Sequence, residues 1–174
     1  MSTDDEARPA ARLTVLTGPS GAGVGSVVEL FRARSPLVWI PVPATTRPRR
    51  AGEVDGRDRI FLAPARFDRL IAAGQLLEWA RIGPYARGTP AAPVLDRLAA
   101  GRPVLLPLDL PGALAVHAAW PDARLVLLVP PGARPPAAGA AHVLTHDRTG
   151  RAVDELVGLF GSSYLAPAQP RLSG

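Results

Sequence analysis

The chain has 174 residues, 47% of them hydrophobic and 20% charged, with 20 Pro, 17 Gly and a formal net charge of +5. That length suits one domain with a buried core. The complete lack of Cys excludes a disulfide scaffold, a thiolate metal centre and a cysteine nucleophile, and no apolar run approaches the ~20 residues that cross a bilayer.

Residues 1–11 are polar and Ala/Pro-rich and read as a disordered tail. Their acidic start, Met1 to Glu6, has no apolar stretch behind it and is not read as a secretory leader. A soluble, cytoplasmic protein with no membrane partner is the expectation. Arg12 to Thr17 reads as a short buried strand that runs into a Gly-rich turn. Val24 to Arg34 follows with helical spacing of Val27, Val28, Leu30 and Phe31. Leu37 to Val42 reads as a second strand, placed at an edge by Pro41 and Pro43. The Arg/Gly/Asp-rich stretch 44–63 contains a strand-like Ile60-Phe61-Leu62. Pro64 opens a helix with Phe67, Leu70 and Ile71 on its apolar face, ending at Gly74. Leu76 to Ala80 reads as a strand, Pro90 to Gly101 as a helix, Val104 to Leu110 as a strand and Pro111 to Trp120 as a helix. Leu125 to Val129 is the most hydrophobic strand. A Pro/Gly/Ala connection, 130–141, leads to a last strand at His142 to Thr145 and a last helix at Arg148 to Phe160. Residues 161–174 read as a flexible tail. Strands alternating with helices predict an α/β fold, a parallel sheet with helices on both faces.

The turn after the first strand holds Gly18, Ser20, Gly21, Gly23, Val24, Gly25 and Ser26. It stands where a Walker A phosphate loop would stand. That pattern, G-x-x-x-x-G-K-[ST], uses glycines to aim backbone N–H groups at phosphate, Lys to neutralise charge and a hydroxyl to hold Mg²⁺. Gly18 and Gly23 have the right separation, but Val24 holds the Lys position and Gly25 the Ser/Thr position. The half that grips an anion by backbone is kept; the half that brings charge and metal chemistry is not. Taken alone, the turn reads equally as a steric demand for Gly.

All 20 basic residues are Arg, so no lysine-dependent step is available. Residues 47 to 102 hold eleven Arg against six acidic residues, and the rest of the chain balances at nine against nine. A coding bias explains many of these arginines as readily as function does. Their concentration favours a local anion site over the broad nucleic-acid surface that a pI near 11.1 suggests.

Ala44 to Asp58, A-T-T-R-P-R-R-A-G-E-V-D-G-R-D, resembles the guanylate kinase signature T-T-R-x-x-R-x-G-E. Leu76 to Ala80, Gly88-Thr89-Pro90 and Val104 to Gly112 match that family in order and spacing, and the resemblance covers residues 12–129 and 142–160. It implies a P-loop kinase-like three-layer domain over 12–160, with a small mixed β/α GMP-binding insertion at 44–89. By that resemblance Arg47 and Arg50 grip the GMP phosphate, since two guanidinium forks suit a dianion. Glu78 reads the guanine N1/N2 edge, Thr89 lies near base or phosphate, and Asp109, one acid of a strand-end pair, is counted among the GMP-binding residues.

The chain also departs from the family. Pro43 replaces a Ser near the base, Arg59 and Arg87 replace phosphate-binding tyrosines, and Pro107 replaces the first strand-end acid. A dozen residues, 130–141, span the place of the helical lid, with Arg134 as their one basic residue. Phosphoryl transfer depends on positioning and charge stabilisation, and a lost donor costs about 3–4 kcal/mol. The expectation is therefore a catalytically impaired member that keeps a clamp for a guanine nucleotide or a phosphorylated protein and acts as a binding or regulatory module. One alternative is an active ATP:GMP phosphotransferase using ATP and Mg²⁺, in which Arg59, Arg87, Arg134 or a partner subunit replaces the lost groups. The other is an arginine-driven nucleic-acid binder. No protein-held metal site is expected.

Overall fold

The computed structural model of the chain describes residues 13–135 and 142–161. The tail expected at 1–11, Arg12, residues 136–141 of the connection expected in place of a lid and all of the C-terminal tail expected beyond Gly161 lie outside the described residues.

The first strand, β1 (Leu13–Thr17), is buried along its whole length, because its Leu/Val/Thr run has apolar partners on both faces. It lies centrally in a parallel four-stranded sheet with β6 (Val104–Pro107), β7 (Arg124–Val129) and β8 (His142–Thr145), in the order β6-β1-β7-β8. Leu16 faces a layer containing Val27, Phe31, Val126, Leu128, Val153 and Leu156, supplied in part by α1 (Val24–Arg34) and α5 (Thr149–Phe160). Leu13 and Val15 face the opposite layer, where Val94 of α3 (Ala91–Ala99) and Ala113 and Val116 of α4 (Leu110–Ala119) pack. This side-to-side alternation along β1 makes the three-layer α/β sandwich that the sequence predicts.

A second sheet is mixed, in the order β3-β2-β5-β4: β2 (Ala44–Thr45), β3 (Ile60–Phe61), β4 (Leu76–Ile82) and β5 (Tyr85–Pro90). Phe67 of α2 (Pro64–Ala72) is fully buried against Ala44 and Ala86 and gives this unit its own small core.

Several details differ from expectation, among them the short strand β2, which the sequence reading did not include. Leu37 to Val42 forms no strand: Trp39 alone bridges to Val104, since Pro41 and Pro43 lack the N–H a ladder requires. The strand expected to reach Leu110 stops at Pro107, because Asp109 turns the chain by capping α4 through the N–H of Gly112 at 2.9 Å. β5 is an element the sequence did not predict. Its run Tyr85-Ala-Arg-Gly-Thr-Pro has no apolar alternation, and the two-residue turn Gly83–Pro84 that joins it to β4 was the available signal.

Candidate active site

The loop after β1 is shaped by Gly21 and Gly23, with φ of 84° and 82°. These left-handed residues turn the chain so that α1 begins directly after Gly23. No side chain caps α1 and no acidic residue lies in its first turn, so its N-terminal N–H groups keep their partial positive charge for an anion. Val24 is half-buried and packs on the core around Leu16 and Val27, while Gly25 and Ser26 are exposed.

His146, just past β8, braces this loop. Its Nδ1 lies 2.6 Å from the carbonyl oxygen of Ala22 and its Nε2 3.0 Å from Oγ1 of Thr149. That pattern suits a ring that donates from Nδ1 and accepts at Nε2. Sequence reasoning missed His146, since a contact across 124 residues leaves no local signal.

The mixed sheet builds the second part of the site. Thr45 is opposite Arg87, and Thr89 opposite Glu78, in the antiparallel registers. Arg87 and Thr89, two apart on β5, therefore share a face with Thr45 and Glu78. Oγ1 of Thr89 donates to Oε1 of Glu78 at 2.7 Å. Glu78 is only 8% exposed, and its Oε2 is buried without a hydrogen-bond partner. Burial pushes the Glu78 carboxyl above its ordinary range, against the opposing pull of Thr89 and Arg87. An unsatisfied buried carboxylate oxygen is costly to the fold, and a ligand N–H would remove that cost.

Beside this face, Arg47, Arg50, Arg59 and Arg87 line a cavity of about 290 Å³ together with Thr45 and Tyr85. The acidic residues of the arginine-rich loop act as its frame. Glu53 accepts from both Nη groups of Arg47, at 2.8 and 2.5 Å, and from the backbone N–H of Arg50 at 2.8 Å. Nε of Arg59 lies 3.8 Å from the same carboxylate. These contacts, that of Arg47 first, hold the Glu53 carboxyl down at about 2. Asp58 accepts from the N–H of Val54 at 2.7 Å and Asp55 from that of Phe61 at 2.9 Å. Arg59 is pushed below the usual guanidinium value by burial and then by Arg47, with Arg87 and Arg50 acting the same way. Glu53 was missed as a functional residue although it ends the quoted signature; only its folded contact with Arg47 shows its role.

Arg87 also reaches across to Asp109, pairing Nη2 with Oδ2 at the end of the core sheet. A second cavity, of about 570 Å³, joins Glu78 and Asp109 with Pro111 and Gly112. Arg134 lies on the exposed stretch after β7 and is not among the residues lining either cavity. Among the described residues no cluster of three or more His, Asp or Glu is arranged to hold a metal ion, and no helix is long and apolar enough to cross a membrane.

Comparison with known proteins points one way. A family profile described as guanylate kinase matches residues 10–136. The chain is 57% identical over 120 residues to a guanylate kinase of Thermobifida fusca, an alignment spanning 69% of this chain and 61% of that protein. It is 55% identical over 122 residues to one of Nocardia farcinica, covering 69% and 63%. The chain thus spans a little over three-fifths of the length of these relatives. The crystal structure of guanylate kinase from Anaplasma phagocytophilum superposes with a TM-score of 0.69 at 20% identity, covering 90% of this chain and 88% of that one, and so shares the fold. The expectation of a catalytically impaired binding module is corrected by these findings, because relatives matched at such identity carry the name of the working enzyme. The chain belongs to the guanylate kinase family.

Proposed function

We propose that the protein transfers the terminal phosphoryl group of ATP to GMP, giving ADP and GDP. The observation that carries this reading is the pairing of a four-arginine cavity with a buried carboxylate on one sheet face. The first suits a phosphomonoester dianion through charge-assisted, forked hydrogen bonds. The second, with Oε2 of Glu78 unpartnered, suits the N1–H and N2–H donors of guanine, which adenine cannot present together. The names of the relatives support the same activity, and they favour a nucleotide over a phosphorylated protein as the partner.

In this reading Arg47 and Arg50 hold the acceptor phosphate, oriented by Glu53, and Thr89 fixes the Glu78 carboxylate for the base. The loop Gly18 to Ser26 and the N-terminus of α1 receive the phosphates of ATP. Val24 brings no charge to the donor, so the added guanidinium groups Arg59 and Arg87 supply positive charge from the acceptor side. Mg²⁺, when bound with ATP, neutralises charge on the transferring group. Such an ion draws most of its oxygen ligands from phosphates and water. Asp109, at the end of the core sheet, would offer such an ion a hard carboxylate oxygen.

A coupled assay with ATP, Mg²⁺ and GMP tests the reading. Turnover of roughly 1–100 s⁻¹ is the ordinary kinase range, with AMP a poor substitute for GMP. No GDP formation at saturating substrates overturns it.

A further inference from the structure

We propose that Arg87 is shared: Asp109 holds it in the free protein, and a phosphomonoester dianion entering the arginine cavity takes it over and releases the Asp109 carboxylate. The proposal rests on the reading above only in taking the occupant of that cavity to carry a phosphate.

The two partners are unequal. Asp109 is fixed in place, since its Oδ1 accepts the N–H of Gly112 at 2.9 Å as the cap of α4. Only its Oδ2 is given to Arg87. Arg87 is the movable member: its long side chain starts on β5, lines the cavity with Arg47, Arg50 and Arg59, and leans out of it to reach Asp109. The side chain of Arg87 is 23% exposed and that of Asp109 48%, so the pair is neither dry nor strong.

Charge favours the exchange. Four guanidinium groups line the cavity against the carboxylates of Glu53 and Asp109, with Glu78 buried near Arg87, so positive charge stays in excess. A phosphate dianion is drawn to that excess. Glu53 already takes both Nη groups of Arg47 and lies near Arg59, so Arg87 is the guanidinium in the cavity whose carboxylate partner lies across on the core sheet. A dianion with three free oxygens outcompetes one half-exposed carboxylate oxygen for a guanidinium fork. The consequence reaches the other half of the site. Asp109 follows β6, which pairs with the strand feeding the phosphate loop. Filling the acceptor cavity thereby unmasks a carboxylate on the core sheet, so occupancy of one half is registered in the other.

Calorimetric titration of inorganic phosphate, GMP and guanosine tests this. The proteins are the wild type, Asp109→Asn, Arg87→Gln and the double variant. Asp109→Asn keeps the oxygen that caps α4. Because the competing pair is weak, it tightens inorganic phosphate by about threefold, a gain that guanosine, lacking the phosphate, does not share. Arg87→Gln weakens phosphate by roughly tenfold or more, as loss of a charged hydrogen bond does. In the Arg87→Gln background the gain from Asp109→Asn disappears. A gain that persists undiminished there is a plain field effect and overturns the proposal. So does an Asp109→Asn protein that binds phosphate no more tightly than wild type, or a wild type that binds no phosphate at all. Phosphate binding without GMP turnover refutes the proposed activity and spares this inference; brisk turnover with independent, additive substitutions does the reverse.

Discussion

Arg47 and Glu53 form a two-pronged pair, with Nη1 at 2.8 Å and Nη2 at 2.5 Å from the two carboxylate oxygens. The same carboxylate fixes the N–H of Arg50, so one acid sets the aim of both arginines assigned to the phosphate. An arginine clamp without that acid would be a set of flexible charges, each losing side-chain entropy on binding.

Acid stability follows from this pair. The Glu53 carboxyl is lowered to about 2 in the folded chain, from 4.5. A depressed carboxyl contributes stability that is complete above its unfolded value and is lost as pH falls through the folded one. Melting curves of wild type and Glu53→Gln at several pH values should show a constant difference above pH ~5. That difference should shrink from about pH 4.5 towards pH 2. A difference independent of pH across that window would show that the pair contributes nothing through its charge.

Glu78 has the opposite sign. Burial raises its carboxyl, so the folded protein binds that proton more readily than the unfolded chain, and its contribution to stability improves as pH falls. Base recognition needs the charged form. GMP affinity should therefore fall on mild acidification, beginning above the pH at which an exposed Glu would titrate. Glu78→Gln should abolish this pH dependence and weaken GMP by about 10- to 100-fold, the cost of a charge-assisted hydrogen bond. Its melting temperature at pH 7 should not drop, because the substitution removes a buried charge. A melting temperature several degrees lower would mean that Glu78 serves the fold and not the base.

Much of this was legible in the sequence, for reasons that can be named. The apolar runs of β1 and β7 and the spacing of Val27 and Phe31 in α1 predict buried elements because burial itself imposes those patterns. Arg47, Arg50 and Glu78 lie in short local motifs, and the family resemblance those motifs carry is what implied their roles. β5 could not be read this way: its strand order is imposed by pairing with β2 and β4, and its own residues carry no periodicity. Arg87 with Asp109 and His146 with Ala22 are contacts between distant segments, 22 and 124 residues apart, which a one-dimensional pattern does not record. The error about activity came from weighing what Val24, Pro107 and the short 130–141 connection lack. The arginines at 59 and 87 entered that weighing only as replacements in the alternative reading; the fold puts both in one cavity.

Under the proposed function, the brace at Ala22 gives a test that separates donor from acceptor. His146→Ala removes one partly buried hydrogen bond to the phosphate loop, worth about 1 kcal/mol. The loop then loses part of its orientation towards an anion while the arginine cavity is untouched. Steady-state kinetics should show KM for ATP raised roughly fivefold, the equivalent of that energy, with KM for GMP unchanged. An equal rise in both constants would mean that His146 supports the whole domain and has no particular hold on the loop.

Gly21 and Gly23 give a paired test of the same loop. Both have φ near +80°, so Ala at either position carries the strain of a left-handed side chain, about 1–2 kcal/mol. Their surroundings differ. A Cβ at residue 21 meets nothing within 4 Å, whereas one at residue 23 falls 2.3 Å from Cε1 and 2.4 Å from Nδ1 of His146. Gly21→Ala should therefore cost only the backbone strain. Gly23→Ala must also expel the His146 ring and break its bond to Ala22, so it should cost about 1–3 kcal/mol more, in the range of overpacking with a lost hydrogen bond. Shortening the ring to Ala removes the clash, so the double variant Gly23→Ala/His146→Ala should be more stable than Gly23→Ala alone. Chemical denaturation of the wild type, the three single variants and the double variant measures this directly. If His146→Ala destabilises the Gly23→Ala protein as much as it does the wild type, the two residues are not in the contact described, and the brace on the phosphate loop has to be sought elsewhere.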